Sequence, residues 1–172
     1  MKTGASLNKG HSKQDYGTPP EFVWAVEERF GKIQFDLAAS KSNALAPDFF
    51  CKEQDSLKQD WHNLNGLLWL NPPFGDIAPW VEKCSEESMV GAIIIMLTPA
   101  SVGSNWFRYF VFQQAQVIFL NGRIKFIGAE DAFPKDCMLT IWRRNILTDF
   151  SIWTWKRNAK KYPFQLDPTM VR

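Results

Sequence analysis

The stretch Leu68-Trp69-Leu70-Asn71-Pro72-Pro73-Phe74 decides how the rest of this chain is read. An apolar run of the kind that forms a buried strand stops at an Asn followed by two prolines, which donate no backbone hydrogen bond and cannot continue a ladder. The chain must leave the sheet here. It carries an amide side chain, two prolyl segments with φ fixed at about −65° and an aromatic ring into a rigid loop. Such a loop suits a flat ligand bearing an amine. The exocyclic amine of a nucleobase is a poor nucleophile because its lone pair is delocalised into the ring. Acceptors for its N–H hydrogens restore the nucleophilic form, and the Asn71 side-chain oxygen and the Pro72 carbonyl are two such acceptors. Pro73 fixes the loop and Phe74 offers a face on which the base stacks.

Length and composition set the bounds. With 172 residues, 45% of them hydrophobic, the chain suits one globular domain with a substantial core. The high aromatic content, with eight Trp, serves core filling first and base stacking second. A net charge of +2 does not by itself mark a nucleic-acid binder, but the charge is unevenly placed. From Arg143 onward seven Lys and Arg face two Asp, so the basic end is the C-terminal one. Cys51, Cys84 and Cys137 are odd in number and have no metal-ligand spacing, which argues for reduced thiols. His11 and His62 are the only histidines, so no histidine-based zinc site and no other metal is expected. No segment approaches the roughly 20 apolar residues of a membrane span, and Met1 to Gln14 lacks a signal-peptide core. A cytoplasmic protein without membrane partners is the expectation.

Residues 1–14 read as a flexible polar arm. Thr18-Pro19-Pro20-Glu21 opens a helix, with Thr18 as cap, and Phe22, Val23, Val26 and Phe30 form its apolar stripe up to Gly31. Lys32 to Leu37 alternates as a strand. Its end carries Asp36, able to accept from an ammonium group, and the small residues Ala38, Ala39 and Ser40, which let a ligand approach the backbone. Ser42 to Gly66 is rich in turn residues and reads as a compressed, loop-rich segment, in which Trp61 is a core residue. Gly66 to Leu70 is the strand that feeds the Asn71 loop.

Ile77 to Met89 is an amphipathic helix with Trp80, Val81, Cys84 and Ser88 on one face and Glu82, Lys83, Glu86 and Glu87 on the other. Ala92 to Leu97 is a continuous β-branched run, typical of a strand buried on both faces in a parallel sheet. Thr98 to Asn105 is a loop beside Asn71, and Trp106 to Gln113 a short helix. Val117 to Leu120, Arg123 to Ile127 and Met138 to Trp142 read as the last strands, the first two joined by an Asn121-Gly122 hairpin turn. Arg123 and Lys125 share one face and suit DNA phosphates. Gly128 to Asp136 reads as a polar, mobile linker. Ile152, Trp153 and Trp155, with the cations from Lys156 to Lys161, read as a solvated helix face or a nucleic-acid contact. Alternating strands and helices give an α/β class.

Several of these pieces, in this order, resemble the phage-type Dam family of adenine-N6 DNA methyltransferases. They are Asp15-Tyr16-Gly17-Thr18-Pro19-Pro20, Phe35-Asp36-Leu37-Ala38-Ala39-Ser40, Asp55-Ser56-Leu57 with Asp60-Trp61, Asn71-Pro72-Pro73-Phe74, and Gly122-Arg123-Ile124-Lys125-Phe126. The resemblance implies a Rossmann-like, S-adenosylmethionine-dependent methyltransferase sheet, a catalytic domain over residues 15–145 and a basic, aromatic extension over 146–172. It implies catalysis by Asn71, Pro72, Pro73 and Phe74. It also implies a cofactor site drawn from Tyr16, Thr18, Pro19, Asp36, Ala38, Ala39 and Asp55, with the Thr-Pro segment at the methionine end and Asp55 at the adenine amine.

The glycine-rich loop that such enzymes carry after their first strand is replaced here by alanines. The substrate implied is a flipped-out adenine in double-stranded DNA, commonly within Gly-Ala-Thr-Cys, in a bacterial host with a phage or prophage origin. Monomer and homodimer both stay open. Cytosine-N4 methylation needs the same geometry but the family often carries Ser there, so Asn71 favours adenine. None of the three cysteines follows a Pro, as the nucleophile of a cytosine-C5 enzyme usually does. A non-catalytic nucleic-acid-binding module is the alternative from another class.

Overall fold

In a computed structural model the described residues are 17–156. They form one seven-stranded sheet flanked by helices. The strands are β1 (Ile33–Asp36), β2 (Asp48–Phe49), β3 (Leu67–Leu70), β4 (Ile93–Pro99), β5 (Gln116–Asn121), β6 (Cys137–Trp142) and β7 (Phe150–Thr154). The helices are α1 (Pro20–Phe30), α2 (Ala78–Val90) and α3 (Asn105–Phe110). Sheet order is β2-β1-β3-β4-β6-β5-β7. All neighbours are parallel except β4 with β6 and β5 with β6, so β6 alone is reversed. This is the mixed α/β, Rossmann-like methyltransferase architecture that the sequence led us to expect.

Period-two alternation sorts the core into two layers. Trp69, Ile95, Leu97, Ile118, Leu139 and Ile141 point to the side covered by Phe22, Val23 and Val26 of α1. Leu68, Leu70, Ile94, Met96, Val117 and Trp142 point to the other side, against Val81 and Cys84 of α2 and Phe107 of α3. The run around Ile94 to Leu97 is apolar without a break because both faces are covered. Its sheet environment differs from the expectation on one side: β4 is parallel to β3 but antiparallel to β6.

Five local expectations fail for reasons of tertiary context. Arg123 to Ile127 is not a strand of the sheet. An Asn-Gly hairpin needs positive φ at both turn residues, and only Gly122 has it, at 110°. Both edges of β5 are already taken, by β6 and β7. The segment crosses instead to the N-terminal side, where Ile127 pairs with Gly17.

Thr18 does not cap α1. The cap is Pro19, whose carbonyl accepts from Phe22 and Val23 N–H, and no side chain contributes. Gly31 does end the helix, at φ 103°. Ile152, Trp153 and Trp155 lie not on a helix but in and just after β7, which pairs in parallel with β5. Trp155 is buried, donates from Nε1 to the Gly122 carbonyl at 2.7 Å and meets Phe22 edge-on.

Gly128 to Asp136 is also tied down, since Phe133 N–H bonds the Ile124 carbonyl and its ring joins the core. Glu87, expected on the solvated face of α2, is buried. Its carboxylate accepts from Lys83 Nζ at 2.8 Å and from His62 N–H at 2.9 Å. Burial opposes its charge, but the hydrogen bonds from Lys83 and His62 outweigh this and hold the carboxyl below its usual range. Ser42 to Gly66 is loop-rich as expected, with two short 3-10 turns and the two-residue β2, and Trp61 is fully buried.

Candidate functional site

Because β1, β3 and β4 are parallel, Asp36, Asn71 and Pro99 emerge at one edge of the sheet. Ligands of open α/β sheets bind outside such carboxyl ends. Three segments converge there on the Asn71 loop.

The first is the start of α1. Asn71 Nδ2 donates to Thr18 Oγ1 at 3.3 Å, and Thr18 is 3% exposed. Pro72 is buried and Pro73 exposed, so the double proline spans the boundary between core and solvent. The second segment is the piece that left the sheet after β5. Phe74 is half-buried, and its ring meets Phe126 at 5.8 Å and Phe133 at 5.4 Å, both edge-on. The two segments are joined to each other, since Ile127 N–H bonds the Gly17 carbonyl at 2.9 Å. A Cβ on Gly17 would come within 3.3 Å of the Ile127 side chain, so glycine allows the close approach. Asn71 and Phe74 are thus held by two strips of chain that are themselves paired.

The third segment is the turn after β1. Asp36 is 3% exposed; Oδ1 accepts from Ala38 N–H at 3.2 Å and Oδ2 from Leu45 N–H at 3.1 Å. Burial raises its pKa to about 6, against the pull of these two amides. Asp36 is therefore engaged in folding the turn on which Ala38 and Ala39 sit, rather than facing solvent. Ala39 N–H bonds the Phe50 carbonyl, which links the turn to β2. Asn43 of the same turn approaches Gly17.

Beyond β2, Asp55 adopts the left-handed conformation, with φ 51°, between the two 3-10 turns. Its carboxylate is 45% exposed and pairs with Lys58 at 2.7 Å. The adjoining Ser56 hydroxyl is buried without a hydrogen-bond partner among the described residues. The loop after β4 and the residues before β6 enclose a concavity of about 340 Å³, lined by Pro99, Ala100, Ser101, Pro134, Lys135 and Asp136.

Of the residues singled out in the sequence, Thr18, Pro19, Asp36, Ala38, Ala39 and the Asn71 tetrad fall on this edge. Tyr16, the arm over residues 1–14 and the cations from Arg157 to Lys161 lie outside the described residues. Arg123 and Lys125 remain on one exposed side although they form no ladder, since the alternate residues Ile124 and Phe126 are buried. Sequence reading missed the roles of Phe126 and Phe133 in holding Phe74. The buried-exposed alternation of 123–127 was a signal for the first.

Cys84 and Cys137 are buried, and desolvation pushes the Cys137 thiol up to about 12 and that of Cys84 well above its usual value. Neither suits a nucleophile. Asp60, His62 and Glu87 cluster closely enough to hold a metal ion, but Lys83 already sits on the Glu87 carboxylate. This cluster precedes β3 and closes the far end of α2, away from Asn71. Among the described residues no helix is long and apolar enough to cross a membrane.

Comparison with known proteins points the same way. A family model described as DNA N-6-adenine-methyltransferase (Dam) matches residues 5–162. The DNA N-6-adenine-methyltransferase of Escherichia phage T1 is 31% identical over 130 residues, which are 67% of this chain and 54% of that protein. A protein of Escherichia coli strain K12, provisionally named methyltransferase YfdM, is 30% identical over 67 residues, 37% of this chain and 69% of its own length. The chain spans about half the length of the phage relative.

Proposed function

We propose, from the premise that this chain belongs to the DNA N-6-adenine-methyltransferase (Dam) family, that it methylates the exocyclic amine of adenine in DNA. The observation that carries this reading is the placing of Asn71. Its amide ends a buried strand at the ligand-binding edge of the sheet, is anchored through Nδ2 on Thr18, and is followed at once by two prolines.

The residues present fit S-adenosylmethionine. The Ser56 hydroxyl, buried without a partner among the described residues, directly follows the part-exposed Asp55 in the chain, and these two side chains would accept from the cofactor's adenine amine. Ala38 and Ala39 place no large side chain over the turn. Tyr16 and Pro19 would complete the methionine end, and Asp36 holds the turn through Ala38 and Leu45. When bound, S-adenosylmethionine supplies an electrophilic methyl carbon on a sulfonium.

The chain supplies the rest. The target base must leave the helical stack to reach this edge, at a cost of a few kcal/mol. Stacking on Phe74 offsets part of that cost. The Asn71 Oδ1 and Pro72 carbonyl accept the two amine hydrogens, localise the nitrogen lone pair and orient it for attack. No covalent enzyme intermediate is needed, in keeping with two buried thiols of raised pKa. Arg123 and Lys125 neutralise DNA phosphates.

The test is transfer of labelled methyl from S-adenosylmethionine to unmethylated DNA, followed by nucleoside analysis. N6-methyladenine is the expected product. N4-methylcytosine would move the reading to the other amine, and DNA binding without any label transfer would contradict it.

A further inference from the structure

We propose that Thr18 is a positioning residue for Asn71, acting on methyl transfer through the orientation of that amide rather than through contact with a ligand. The inference rests on the adenine-methylation reading above. An Asn side chain has a donor end and an acceptor end on one rotatable plane, and only the oxygen can receive an amine hydrogen. Something must therefore hold the plane. Asn71 Nδ2 donates to Thr18 Oγ1 at 3.3 Å, so the carbonyl oxygen is the end turned away from Thr18.

Thr18 is available for this task because its helix does not use it. Both first-turn amides, of Phe22 and Val23, bond the Pro19 carbonyl, and the cap draws on no side chain. Thr18 is also 3% exposed, so water does not compete for the contact. Its backbone is fixed on both sides, by Pro19 after it and by the Gly17–Ile127 pairing before it. A threonine at the start of a helix reads as a cap; here its hydroxyl is spent on a residue far along the chain.

Thr18→Val keeps the shape and removes the acceptor, whereas Thr18→Ser keeps the oxygen. In Thr18→Val, kcat should fall about tenfold, the worth of one such hydrogen bond, with KM for S-adenosylmethionine and for DNA within about twofold of the native values. Thr18→Ser should stay within about threefold of native. A readout independent of turnover is the side-chain NH2 pair of Asn71 in a 1H–15N spectrum, assigned by its loss in Asn71→Ala. It should shift in Thr18→Val and hold its place in Thr18→Ser.

Thr18→Ala serves the same comparison if valine disturbs the fold. A raised KM for S-adenosylmethionine with kcat unchanged would make Thr18 a ligand contact and overturn the proposal. A loss in Thr18→Ser as large as or larger than that in Thr18→Val would do so too, since serine keeps the hydroxyl and lacks only the methyl group. If the native chain transfers no methyl group while the NH2 shifts behave as stated, the methylation reading fails but the Thr18–Asn71 coupling stands.

Discussion

Phe74 and Phe133 meet edge-on with ring centroids 5.4 Å apart, and through this contact the loop before β6 holds the last residue of the Asn-Pro-Pro-Phe tetrad. Phe126 completes the group, at 5.8 Å from each of the other two. Truncating Phe133 to Ala removes a half-buried ring and its aromatic pairs, which should cost about 1–2 kcal/mol of stability. Urea unfolding measures this. The variant should also raise KM for DNA more than KM for S-adenosylmethionine, because the loosened ring is the one proposed to stack on the base.

The buried carboxyl of Asp36 gives a pH signature. Its folded pKa of about 6 lies above the ordinary 3.8, so the native state holds a proton that the unfolded chain releases between these values. Its contribution is fully present below about pH 4 and is lost as pH rises through 6. Relative to Asp36→Asn, the native chain should therefore lose up to about 3 kcal/mol between pH 4 and pH 7. Denaturant unfolding of both proteins across that range checks the sign. A constant difference would mean that Asp36 ionises normally.

Arg123 and Lys125 are exposed on one side of a segment whose alternate residues, Ile124 and Phe126, are buried. If both cations neutralise phosphates, the double alanine variant should lower the slope of log K against log salt by about 2. Stability should be unchanged, since the nearest acid to Arg123 is Asp136 at 3.9 Å and both are solvated. Fluorescence anisotropy of labelled DNA at several salt concentrations gives the slope.

What could be read in the sequence was what local patterning controls. The apolar run into Asn71-Pro72, the unbroken strand around Ile94 to Leu97 and the helix stop at Gly31 each follow from a few adjacent residues. What could not be read depended on distant partners. Asn121-Gly122 encodes a turn, but β6 and β7 reach β5 first. Glu87 has the spacing of a solvated residue, yet Lys83 and the His62 amide make its burial tolerable. Trp153 and Trp155 sit among polar and charged residues that suggest a surface, while both rings pack with the core around Phe22. At the site, the tetrad was legible and its supports were not, because Thr18, Phe126 and Phe133 are brought to it only by the fold.

The most direct test is the rate of methyl transfer by Asn71→Ala beside the native protein, with S-adenosylmethionine binding and melting temperature measured on both. Loss of one acceptor that acts on the reacting amine should lower kcat about 10²–10³-fold, while cofactor binding and Tm stay close to native. A variant that keeps its rate within about tenfold would contradict the account, for the amine would then be activated by something other than the residue around which this edge of the sheet is built.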